Sequence, residues 1–221
     1  MLSLATIEML KALIAALLVY FPTVAISGYC EAWMARRLGD NSVAVAEFIT
    51  LNPFVHTDPI GLASILLALG LDIKFIFGFG RYIPVNLASF TPPYRFGKLC
   101  AVLMARPLAN LVLLLATVVA FVSLWGGFLS ALHVPTSPLM AAVRMVLQTM
   151  IALNMISLTI YTIVACFRLL WLYAMPNLVI TNWQIWALLL LLSILMFIVL
   201  APFISFFVGF LMMQVEKFFA I

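Results

Sequence analysis

The residues best equipped for chemistry stand close together early in the chain. His56 and Asp58 put an imidazole and a carboxylate two positions apart, a set that could bind a metal or relay a proton beside a membrane. Cys30 and Glu31 precede them, and a Cys, Glu and His set suits zinc. Adjacent residues on a helix, however, point about 100° apart. A helical zinc site instead uses His-Glu-x-x-His, whose two imidazoles share one face while the Glu activates the metal's water. The corresponding five positions here read Ser27, Gly28, Tyr29, Cys30 and Glu31. The plainer reading of His56 and Asp58 is that they hydrogen-bond backbone in the turn through Pro59.

Whatever holds these residues lies in a bilayer. The 221 residues are 67% hydrophobic and 8% charged, which excludes a soluble domain with a polar surface. A spanning helix needs about 20 apolar residues, and five segments qualify: 7–36, 60–79, 98–127, 138–173 and 184–214, the fourth long enough to be two. Pro22 predicts a kink in the first, and Arg36 and Arg37 mark its emergence at a surface. Between them the β-branched run 42–51, closed by Asn52-Pro53 and Asp58-Pro59, predicts a short hairpin-like segment against the membrane. The expected fold is an all-α polytopic membrane protein of five to six transmembrane helices with this small β-like element. All of 1–221 forms one membrane domain, with no targeting segment to be removed. The net charge of +4 comes from Lys and Arg mostly scattered between apolar runs, which fits membrane flanks and not nucleic acid. Cys30, Cys100 and Cys166 are odd in number and far apart, so no disulfide framework is implied. Orientation stays open, because Arg81, Arg95 and Lys98 share a face with Arg36 and Arg37 only if the segment between is re-entrant.

Four motifs, in order, resemble the site-2 protease family of intramembrane zinc metalloproteases in its small bacterial form. Glu31-Ala32-Trp33-Met34-Ala35-Arg36-Arg37-Leu38-Gly39-Asp40 is similar to the family's His-Ala-Trp-x-Ala-x-Arg-Leu-Gly-Asp, and Leu51-Asn52-Pro53 through His56, Asp58, Pro59 and Gly61 to its Leu-Asn-Pro-x-x-His-x-Asp-Pro-Ile-Gly. Residues 78–86 resemble a connector reading Gly-Trp-x-Lys-Pro-Val-Pro-Val-Asn, and Ala105-Arg106-Pro107-Leu108-Ala109-Asn110 resembles Ala-Gly-Pro-Leu-Ser/Ala-Asn, with Arg106 in place of a glycine. The resemblance is strongest over 27–110, and 111–221 supplies C-terminal helices. In this frame Ser27 and Glu31 stand where the two zinc histidines belong and Gly28 where the catalytic Glu belongs. Aligning Cys30-Glu31 with His-Glu keeps the acid but breaks the Arg-Leu-Gly-Asp match and offers Met34 as a ligand. The third ligand, an Asp, has its best counterpart in 152–170, where Asn154 keeps an early asparagine, and no acidic residue occurs between Asp72 and Glu216.

The resemblance therefore implies a family fold without metal or cofactor and without peptidase activity. The retained motif, Asn52, Pro53, His56, Asp58, Pro59 and Gly61, is assigned to structure. The expected work is that of a scaffold subunit in a bacterial inner membrane, touching lipid and binding other integral membrane proteins within a larger assembly. Arg106 and Arg168 are candidate partner contacts, and Glu31 is expected to pair with a basic group such as either of them, because an unpaired intramembrane carboxylate is costly. Two rivals remain: a metal-dependent intramembrane peptidase with an irregular site at Cys30, Glu31, His56 and Asp58, and a transporter threading Glu31, Asp72, Lys74, Asn110, Asn154 and Arg168.

Overall fold

The computed structural model describes residues 4–71, 78–86, 89–90, 95–124 and 137–174. Its helices are α1 (Leu4–Arg37), α2 (Val43–Ala46), α3 (Pro53–His56), α4 (Pro59–Gly70), α5 (Arg95–Val122) and α6 (Pro138–Ala174). Among the described residues, α1, α5 and α6 are long and apolar enough to cross a membrane. The region expected to hold one or two spans is a single helix of 37 residues. Of the segment expected at 60–79, the described residues yield α4, whose 12 residues rise about 18 Å, and 72–77 lie outside the described residues. The segment expected at 184–214 lies outside the described residues. Residues 1–119 with 136–165 form one compact unit and 120–135 with 166–221 another; the site belongs to the first.

Helix α1 buries a stripe that is small or polar: Ala16, Tyr20, Thr23, Val24, Ser27, Glu31 and Ala35. Its large residues Ile7, Leu10, Ile14 and Leu18 face outward. That reversal of the soluble pattern follows from the solvent, since lipid is as apolar as leucine and association depends on close packing between small side chains. Tyr20, Val19 and Ala16 pack with Ile65 of α4 and Leu153 of α6 to form the core.

The chain stops α1 with a Schellman turn. Gly39 takes φ 121°, its N–H donates to the Arg36 carbonyl, and the Asp40 N–H reaches back to the Ala35 carbonyl at 3.0 Å. Asp40 is fully buried, and its carboxylate accepts from the backbone N–H of Ser42 at 3.1 Å and of Asn86 at 2.6 Å. It therefore ties the end of α1 to the segment that leads into α5.

The expected hairpin is not what forms. Residues 42–51 contain the helical turn α2, with Ala46 and Glu47 N–H groups bonding to the Ser42 and Val43 carbonyls. Asp40 draws Ser42 into a turn, and helical spacing then buries both Val45 and Phe48. Local turn chemistry and that burial override the β preference of Val43 and Val45. Among the described residues the sheet-like pairing is reduced to one antiparallel bridge, Thr57 with Gly80.

Candidate functional site

The Asn-Pro and Asp-Pro pairs of the retained motif are helix starts. Asn52 Oδ1 accepts from the Phe54 N–H at 3.1 Å, and Asp58 Oδ1 accepts from Ile60 and Gly61 at 2.8 and 3.1 Å, each with proline in the first turn. Between them His56 is driven inward and has no exposed surface. Its Nε2 lies 2.7 Å from the Thr50 carbonyl, which can only accept, so Nε2 carries the proton and Nδ1 is bare. Among the described residues Nδ1 has no hydrogen-bond partner. It abuts Gly28 so closely that a Cβ there would collide with the imidazole.

One turn along α1, Glu31 is buried and its Oε2 lies 2.8 Å from Arg106 Nε of α5. The same guanidinium donates from Nη2 to the Arg81 carbonyl at 3.1 Å and lies 4.9 Å from the Tyr161 ring centroid of α6. Arg106 retains only 6% exposure, and its internal partner Glu31 is the pairing the sequence offered as one of two. Arg168 is half-buried and belongs to the second unit.

Sequence reasoning missed Tyr161, whose hydroxyl accepts from the Gly80 N–H at 2.6 Å, and Tyr20, whose hydroxyl donates to the Phe79 carbonyl at 3.0 Å. A tyrosine in an apolar helix carries a polar tip that needs a partner, and that was the available signal. Asn154, expected to keep the family's early asparagine, is fully buried and donates to the Met150 carbonyl at 2.9 Å. Asp72 and Lys74 lie outside the described residues.

These residues do not fit the zinc ion that the family resemblance would imply. At the position of the second histidine, Glu31 already faces a guanidinium, and a metal cation would have to displace it. The His56 ring fills the space in which a side chain at position 28 would stand, and Ser27 Oγ is turned to the Val24 carbonyl. Cys30, Glu31, His56 and Asp58 do not assemble either: among the described residues no three His, Cys, Asp or Glu side chains come together, and Asp58 is spent on its cap.

Burial also pushes the His56 imidazole below its ordinary pKa near 6.5, helped by the Arg106 charge and opposed by the Thr50 hydrogen bond. The folded state thus binds this proton less readily than the unfolded one, so the stability it contributes is present above about pH 6.5 and is lost as pH falls through that value. Melting of detergent-solubilised protein is expected to shift down between pH 7 and 5, and His56→Gln is expected to flatten that slope. An unchanged slope in the variant would remove His56 as its source.

Comparison with known proteins gives partial similarity. The chain is 37% identical over 83 residues to a Bacillus subtilis (strain 168) protein named "Putative zinc metalloprotease YwhC". That stretch is 38% of this chain and 34% of the relative, about a third of each. No family model matches the chain, and no solved structure does. The similarity supports a site-2-protease-like relationship for the part of the chain that it covers.

Proposed function

We propose that this chain is a metal-free relative of the site-2 proteases that cleaves nothing and serves as a scaffold subunit for other integral membrane proteins. The observation that carries the first half is the Glu31–Arg106 ion pair, which puts a permanent protein cation beside a position where the family holds zinc. His56 against Gly28 adds to it, since the place for an activating acid is taken by a ring. Without metal, activated water or acid, a peptide held here meets no machinery for hydrolysis. The scaffold role rests on what such a fold is built to do: its ancestors recognise spanning helices, and loss of cleavage turns a passing substrate contact into a lasting one. We read the membrane as a bacterial inner membrane, with the orientation left to the positive-inside rule once the topology is measured.

Tagged protein purified gently at native expression tests both halves in one sample. The expected result is no stoichiometric zinc, together with membrane proteins present in fixed ratio that recover this chain when tagged themselves. Stoichiometric zinc that disappears on Cys30→Ala or His56→Gln would overturn the metal-free reading and restore a peptidase with an irregular site. Zinc-free protein that is monomeric in every preparation would remove the scaffold.

A further inference from the structure

We infer that the degenerate centre has become a clamp closed on the chain's own segment Gly78–Arg81. Five of that segment's backbone polar groups are taken by side chains or backbone from four directions. Ser157 Oγ of α6 donates to the Gly78 carbonyl at 3.4 Å and Tyr20 of α1 to the Phe79 carbonyl at 3.0 Å. The Gly80 N–H donates to Tyr161 at 2.6 Å, the Arg81 N–H to the His56 carbonyl at 2.6 Å, and the Arg81 carbonyl accepts from Arg106 at 3.1 Å. The approach is too close for side chains. A Cβ on Gly78 would meet Tyr20 and Ile65, one on Gly80 would meet Val24 and the His56 carbonyl, and one on Gly61 would run into the Phe79 backbone.

Arg106 is the link that makes this a device and not a set of separate contacts. One rigid guanidinium faces Glu31 with Nε, holds Arg81 with Nη2 and stacks on the ring of Tyr161, which in turn holds Gly80. A planar fork of donors can serve several acceptors at once only while its orientation is fixed, and Glu31 fixes it. Glu31 is therefore a positioning residue for this segment. An incoming extended chain could pair with Gly80 and Arg81 only after Tyr161 and Arg106 let go, so addition of a second chain here is blocked from within. The inference concerns the chain's own segment and holds whether or not a partner protein exists.

Hydrogen exchange by mass spectrometry on the full-length protein in lipid nanodiscs reads the two amides directly. Tyr161→Phe removes one hydroxyl and is expected to speed exchange of the Gly80 amide about tenfold while α1 and α5 amides keep their rates. Glu31→Gln is expected to speed the peptide containing Gly80 and Arg81 by a similar factor through the loosened Arg106. Unchanged exchange in Tyr161→Phe would overturn the clamp. Equal acceleration across α1, α5 and the segment in Glu31→Gln would also overturn it, since the ion pair would then hold the bundle at large and not the segment.

Discussion

Arg106→Met is expected to destabilise the protein by about 3–5 kcal/mol, whereas the double replacement Glu31→Gln with Arg106→Met is expected to cost distinctly less than the two single losses combined. Both side chains are nearly inaccessible, at 7% and 5% exposure, so removal of the guanidinium leaves a carboxylate with neither water nor its counter-ion. The desolvation penalty of that lone charge dominates the loss. Neutralising Glu31 as well removes the penalty, and what remains is the packing of Arg106 over Tyr161 and its bond to Arg81. Arg106→Lys keeps the charge but not the fork, so it should retain Glu31 and lose the Gly78–Arg81 segment. The measurement is a double-mutant cycle on unfolding in detergent. Strictly additive single effects would sink the ion pair as an energetic unit.

Part of this centre is legible in the sequence. Asn52-Pro53 and Asp58-Pro59, read there as turns that close a hairpin, are instead helix starts, although the capping signal is local: the residues that donate and accept stand within a turn of each other. A carboxylate at position 31 within an apolar helix demanded a cation, and Arg106 was one of two offered. Choosing between Arg106 and Arg168 needed the fold, because the pairing depends on where α5 starts relative to the end of α1. Asp40 sets that by holding Asn86, across 46 residues of sequence. The β-branched run 42–51 misled for a related reason. Its preference for strand is worth little without a neighbouring strand, and Asp40 had already committed Ser42 to a turn. Tyr20 and Tyr161 went unread because each anchors a segment far away in sequence, 59 and 81 residues off.

Gly28→Ala is expected to be as damaging as a core overpacking change, about 1–3 kcal/mol, although alanine is the better helix former. The helix gains a little propensity, on the order of 1 kcal/mol, and loses more, because the new Cβ would collide with the His56 imidazole and His56 has nowhere to go. Its Nε2 is tethered to Thr50, its ring lies against Phe48, and its carbonyl holds Arg81. Gly28→Glu, which puts an acid where the site-2 protease resemblance would have one, is expected to be worse still: the longer side chain meets the same ring and brings a second buried carboxylate close to Glu31. Combining Gly28→Ala with His56→Ala separates steric conflict from any intrinsic demand for glycine. His56→Ala alone forfeits the Thr50 bond and opens a cavity, and if the two residues compete for one space the pair should be more stable than the sum of its singles predicts. A double variant that melts at the additive value would show that position 28 needs glycine for another reason. It would also reopen room for an acid there, and with it the proposal that this centre cleaves nothing.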